Sequence, residues 1–161
     1  MSPTMSPATT TAARTTSERA DLLGGLEQEV GVMIRRIRRV IAERSRAVHP
    51  DLQSSSYLML SWLAQHGPQR SSAMAESFGI DKGAISRQVQ HLLDLGLVDR
   101  TPDPDDGRAT LVSVTAVAAA QIAEVNDDRR RWLDDRLGDW PDHDLSEFVR
   151  MLASYNAALD A

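Results

Sequence analysis

Lys82, Gly83, Ser86, Arg87, Gln90 and His91 are spaced so that a helix would bring them to one side. Turned by about 100° per residue, the same stretch sends Ile85, Val89, Leu92 and Leu93 to the opposite side. The chemistry open to the polar set is hydrogen bonding, not bond making. In a DNA major groove, Arg grips O6 and N7 of guanine, Gln pairs with adenine, and Ser uses either edge. Gly83 lets the start of the helix approach a phosphate closely. Read blandly, the face is solvated surface, and the residues that flank it decide between the two.

Downstream, Arg108 stands where a turn-rich stretch returns into an alternating run, with Asp106 two residues before it. An arginine held at a hairpin tip suits a narrow, electronegative minor groove, and Asp106 is expected to steady its guanidinium. The competing reading pairs Arg108 with Asp103, Asp105 and Asp106 inside the hairpin. Upstream, Ser71 and Ser72 are each able to cap a helix, and with the helix N-terminus they are candidate phosphate contacts.

Reactive chemistry is sparse. The four histidines, His49, His66, His91 and His143, form no i,i+4 pair or carboxylate grouping of the kind that binds zinc. The absence of cysteine excludes disulfides and thiolate sites. No Gly-rich phosphate loop follows a strand, and no Ser, His and Asp set is marked by a sharp elbow. Neither an enzyme nor a metal or other cofactor is expected. No apolar run reaches the length of a membrane span and no secretory signal opens the chain, so a cytoplasmic protein without membrane contact is the expectation.

The elements that must hold these residues are mostly helical. Ala75, Gly79 and Ile85 have helix-turn-helix spacing: a small residue where helices touch, a glycine able to take φ > 0, and an apolar anchor. Asp81 is the expected N-cap of the second helix, Lys82 to Leu95, and Gly96 its C′ residue. Leu97 to Thr101 has strand character, Pro102 to Gly107 is turn-rich, and Ala109 to Val114 alternates. Around this module lie long amphipathic helices. Residues 1–16, rich in Ser, Thr, Pro and Ala, are expected to form a disordered tail. The first helix runs from about Ser17 to Arg46, with Thr15 and Glu18 as a capping box. Its apolar positions include Leu23, Leu26, Val30, Met33, Ile34, Ile37, Val40 and Ile41. A helix capped by Ser54 or Ser55 follows, with Tyr57, Leu58, Leu60 and Leu63 inward. Thr115 opens a helix to about Leu137, and a last helix, about His143 to Leu159, lines Leu145, Phe148, Val149, Leu152, Tyr155 and Leu159 along one face. The fold class is therefore mainly α with a small β-wing. One domain spans 17–161: a winged helix-turn-helix at 54–114, between dimerisation helices at 17–47 and 115–161. The flanking stripes exceed what a module this size can bury alone, and a twofold dimer would set two reading helices about one turn of DNA apart.

The run MAESFGIDKGAISRQVQHLLDLGLVDRTPDPDDGRATLVSVT resembles the core signature of the MarR (multiple antibiotic resistance regulator) family of winged helix-turn-helix transcriptional regulators. That resemblance implies that Arg87 and Arg108 are the principal DNA contacts, with Ser86 and Lys82 beside them, and that the terminal helices interlock in a homodimer. It also implies a cleft for a small aromatic or phenolic effector, for which Met33, Ile37, His49, Tyr57 and Trp62 are the candidates by position. Their bland reading is core or interface packing. Where many members carry two wing arginines, this chain has Gly107 before Arg108.

The formal net charge of −5 opposes non-specific phosphate affinity, although the face presented matters more than the total. Low non-specific affinity and a need for two spaced half-sites are expected. The reading is a sequence-specific, double-stranded-DNA-binding regulator: a homodimeric repressor on a pseudo-palindromic operator, relieved by a small aromatic effector. The alternatives are an activator or ligand-independent regulator of the same fold, and a protein-interaction module without DNA contact.

Overall fold

The computed structural model describes residues 7–159, with side-chain placement from residue 17. The first helix, α1, spans Pro7–Val48, so it begins ten residues before the expected start and places Thr15 and Glu18 inside the helix. Residues 1–6 of the expected tail lie outside the described residues. The early start has a local cause. Nucleation is the costly step, so extending an existing helix through Ala12, Ala13 and Arg14 needs little further stabilisation. Proline at the first helical position loses no bond that the helix would have made. At the other end the N–H of His49 still reaches the Ser45 carbonyl at 3.0 Å, and Pro50 cannot continue the ladder.

The second helix, α2, covers Ser54–His66. Neither Ser54 nor Ser55 caps it. The helix begins at Ser54, and the Gln53 carbonyl accepts the Tyr57 N–H at 2.8 Å. Its buried positions are Ser56, Tyr57, Met59, Leu60 and Leu63, whereas Leu58, expected inward, is 45 % exposed. Spacings of three and four from Ser56 through Met59 and Leu60 to Leu63 define the inner stripe, and Leu58 lies about 100° from Met59.

The chain divides into two compact units within α2, at residues 1–58 and 59–161. In the first, Val48, Leu52 and Tyr57 are buried, while Leu23, Leu26, Ile34 and Ile37 along α1 are exposed. Arg35, Arg36, Arg38 and Arg39 are exposed on the same helix.

The second unit carries the helix-turn-helix and the ribbon. After α2 come β1 (Gln69–Arg70), α3 (Ser71–Phe78), α4 (Lys82–Asp94), β2 (Val98–Asp103) and β3 (Asp106–Val114), then α5 (Ala116–Leu137) and α6 (Asp142–Leu159). The three strands form one antiparallel sheet in the order β1-β3-β2. β1 has no counterpart in the sequence reading, because two residues are too few to show a period of two. The ribbon is also longer than expected: Pro102, Asp103, Asp106 and Gly107 belong to the strands, and the turn shrinks to Pro104 and Asp105.

Two glycines set the geometry of the module. Gly79 adopts φ 61° and Gly96 φ 68°, the left-handed region where a side chain costs about 1 kcal/mol or more. Beyond Gly79 the Ile80 N–H bonds the Ala75 carbonyl at 3.2 Å; beyond Gly96 the Leu97 N–H bonds the Leu92 carbonyl at 3.0 Å. Both helices thus end in Schellman motifs. Met74, Ile85, Val89, Leu92, Leu97, Val98, Val112, Ala118 and Ile122 are buried, each large side chain contributing about 1.5–3 kcal/mol. The last helix is different: Leu145, Phe148, Val149 and Leu159 are exposed by 38 %, 49 %, 59 % and 66 %.

Candidate nucleic-acid interface

The anchors Ile85, Val89 and Leu92 are buried, and this orients α4. Lys82, Gly83, Ser86, Arg87 and Gln90 consequently face solvent, as the helical period requires. Asp81 caps the helix, its Oδ1 accepting the Ala84 N–H at 2.9 Å. That bond, aided by the Gly83 N–H and the Arg87 charge, holds the Asp81 carboxyl below its ordinary range.

Gly83 has a further local reason to be glycine. A Cβ there would lie 2.9 Å from Asp81 Oδ1, and the cap would have to move to admit it.

Two residues of the outer set differ from expectation. Gln90 is exposed, but its Nε2 donates to Asp94 Oδ1 at 2.8 Å, so base pairing would exchange that bond. His91 is half-buried, and its Nε2 is enclosed without a hydrogen-bond partner. It is thus less open to solvent than Lys82, Gly83, Ser86, Arg87 and Gln90 on the same helix.

At α3, neither Ser71 nor Ser72 is the cap. Arg70 occupies the N-cap with extended backbone and no side-chain cap bond. Ser71 is half-buried and Ser72 exposed in the first turn.

The wing tip departs most from the sequence reading. Asp106 does not hold the Arg108 guanidinium. Its Oδ1 accepts the Arg108 backbone N–H at 3.1 Å, and its Oδ2 lies 3.8 Å from Nη1 of Arg70. Asp103 is buried; its Oδ1 accepts the Asp105 N–H at 2.9 Å and its Oδ2 meets Arg70 Nε at 2.5 Å. The Asp105 N–H foremost, then Arg70, draw the Asp103 carboxyl below its ordinary range, and Asp103 in turn raises Arg70. Arg70 therefore compensates the acidic turn. Arg108 is exposed, and among the described residues its guanidinium has no carboxylate within 4.0 Å. The hairpin-paired alternative for Arg108 does not describe this geometry.

Arg70 was missed by sequence reasoning. The only available signal was a lone cation ahead of a helix, 33 residues from its partner.

The five candidate effector residues divide between the two units. Met33 and His49 are half-buried, Ile37 is 45 % exposed and Tyr57 is buried. His49 Nδ1 accepts the Asp51 N–H at 3.2 Å. Trp62 stacks on His66 at 4.3 Å between centroids and meets the edge of Phe78 at 5.7 Å. Among the described residues no group of three or more His, Asp or Glu is placed to hold a metal ion. No described helix is long and apolar enough to cross a membrane.

Helix, left-handed turn, exposed second helix and antiparallel ribbon together define a winged helix-turn-helix protein. The model of the MarR family matches residues 52–110. The uncharacterized HTH-type transcriptional regulator YxaD of Bacillus subtilis is 32 % identical over 133 residues, covering 83 % of this chain and 92 % of that protein. The HTH-type transcriptional repressor NicR of Pseudomonas putida is 30 % identical over 97 residues, 59 % of this chain and 61 % of its own length. A MarR family transcription regulator of known crystal structure superposes with a TM-score of 0.71 at 16 % identity, over 91 % of this chain and 95 % of that one. The chain belongs to the MarR family. It is a transcriptional regulator of winged-helix fold and not an enzyme.

Proposed function

We propose that this regulator binds double-stranded DNA as a homodimer, recognising a pseudo-palindromic operator, and represses by occupying it. The observation that carries the proposal is the joint display of two readers in one unit. The first turns of α4 expose Lys82, Gly83, Ser86 and Arg87, and the adjoining ribbon exposes Arg108 free of its acidic neighbours. In the proposed complex Arg87, Ser86 and Gln90 contact base edges in the major groove. Arg108 enters the minor groove, and Lys82, Ser71 and Ser72 meet phosphates. Asp106 acts on the backbone of Arg108, and His91 is left out of the contact set.

Dimerisation is supported by the apolar side chains that α6 leaves in solvent, Leu145, Phe148, Val149 and Leu159, of which the first three share one helical face at spacings of three and four. Repression is supported by the likeness to a named repressor over 59 % of the chain. Relief by a small aromatic or phenolic acid, with Met33, Ile37, His49, Tyr57 and Trp62 as its candidate contacts, rests on family resemblance. Such an effector acts only by binding the DNA-fitting and misfitting states with different affinity.

The test is selection of bound duplexes from a random pool by the full chain, repeated with a panel of aromatic acids. A two-fold related consensus is expected, with a weaker yield when the effective acid is present. Retention of no duplex at low salt would end the DNA-binding reading, and a single unsymmetrical half-site would end the dimeric one.

A further inference from the structure

The ion pair between Arg70 and Asp103 joins two residues to which DNA recognition as proposed above gives no part. Arg70 ends β1 and is the N-cap residue of α3; Asp103 ends β2. Nε of Arg70 is 2.5 Å from Oδ2 of Asp103, whose side chain is 5 % exposed. Nη1 of Arg70 is 3.8 Å from Oδ2 of Asp106, and the other Asp106 oxygen accepts the Arg108 N–H at 3.1 Å. A continuous path of polar contacts therefore runs from the first helix of the helix-turn-helix to the backbone of the wing-tip arginine.

The sheet does not depend on this charge for its register. β1 pairs with β3 through the backbone, Gln69 opposite Val112 and Arg70 opposite Leu111. What the guanidinium adds is electrostatic. Asp103, Asp105 and Asp106 crowd a turn two residues from Arg108, and with no cation supplied from elsewhere they would repel one another or draw in Arg108 itself. Arg70 occupies Asp103 and Asp106 from the helix side, and the Arg108 guanidinium stays free.

Resting on the DNA-binding reading above, we propose that Arg70 is a positioning residue for the wing: by satisfying the turn carboxylates it fixes the tip relative to α3 and keeps Arg108 available to the groove. A role of this kind makes the contribution of Arg108 conditional on Arg70, and leaves the contribution of Arg87, on a separate helix face, independent of it.

The test is a double-mutant cycle on the full chain, read as affinity for the duplex selected by the parent at fixed salt. In the parent background R108A is expected to weaken binding. In the R70A background R108A should change affinity by about twofold or less, so that the coupling between the two is about threefold or more. R87A should cost the same factor in both backgrounds, which a general loss of folding would not give. D103N removes the anchor between the wing and α3 but also one of the crowding carboxylates, so it should diminish the Arg108 effect through the loosened tip alone and by less than R70A does; it replaces R70A if circular dichroism shows that variant unfolded. An undiminished R108A effect in both the R70A and D103N backgrounds overturns the inference and leaves DNA binding standing. Absence of any R108A effect in the parent overturns both the wing contact and the inference.

Discussion

The hydroxyl of Thr115 donates to the carbonyl of Gly96 across 3.2 Å and so fastens the start of α5 to the end of α4. The same oxygen accepts the Ala118 N–H at 3.2 Å, and the Thr115 N–H reaches the Leu97 carbonyl at 3.1 Å. One residue thus caps α5 and secures the left-handed turn that ends the candidate reading helix. Thr115→Ala removes these side-chain bonds, together with the longer one from the hydroxyl to the Leu97 carbonyl at 3.4 Å, and is expected to lower stability by about 1 kcal/mol, the usual cost of a lost N-cap. Thr115→Ser should retain most of it. Urea midpoints of the two variants check this; an alanine midpoint equal to the parent's would mean that water replaces the hydroxyl without loss.

Arg87 is exposed on α4 beside Ser86 and near the capped helix start. As a base reader, Arg87→Ala should lose about 1–3 kcal/mol per half-site of the selected duplex and relax preference at one base position in each. Fluorescence anisotropy with single-base variants of the duplex measures both. Equal affinity of mutant and parent for the preferred duplex would remove the assignment.

For Arg108, the readout is the salt dependence. A guanidinium that neutralises a phosphate releases one condensed counterion, so in the proposed dimer Arg108→Ala should weaken binding and reduce the slope of log affinity against log salt by about one unit per half-site, about two in all. Titrations at four salt concentrations suffice. A slope and affinity both like the parent's would restore Arg108 to the hairpin.

Acid sensitivity follows from Asp103. Its carboxyl lies below the ordinary value of 3.8 in the folded chain, held there by the Asp105 N–H and by Arg70. A depressed native value means that the charged form stabilises the fold above the unfolded pKa, and that this support disappears as pH falls through the native one. Asp103→Asn should accordingly be less stable than the parent near neutrality, and the gap should narrow as pH falls below about 4. Chemical denaturation at stepped pH tests it: a gap that stays constant down to about pH 3 would show that the carboxylate charge contributes nothing.

The exposed face of α6 gives a test of assembly. Phe148, 49 % exposed and edge-on to Trp140 at 6.0 Å, belongs to the apolar set that the dimer is proposed to cover. Burying such a side chain is worth about 1.5–3 kcal/mol, so Phe148→Asp should raise the dimer dissociation constant about tenfold or more in sedimentation equilibrium. An unaltered association constant would place the interface elsewhere.

What could be read directly from the chain was local. The Asp81 cap, the glycines at 79 and 96, the buried set Ile85, Val89 and Leu92, and the start of α5 at Thr115 each depend on residues within about four positions. Backbone sterics and helical periodicity act over that same range. Local rules also carried the α4 face as far as Arg87.

Beyond that range the readings diverged from the molecule. Leu58, expected inward, is exposed and its neighbour Met59 is buried, because neighbouring apolar residues on one helix offer nearly equal stripes, and packing chooses between them. His91 turned from surface to half-buried for the same kind of reason. β1 and the engagement of Asp103 and Asp106 by Arg70 arise only when segments 33 residues apart in sequence are brought together. The amino-acid sequence by itself determined which helices form and which residues the first turns of α4 expose. Tertiary structure alone decided that the wing's acids are neutralised from the far side of the module and that Arg108 is left free. Charge pairing of that kind has no period and no fixed spacing, and it depends on distances that exist only once the sheet has closed.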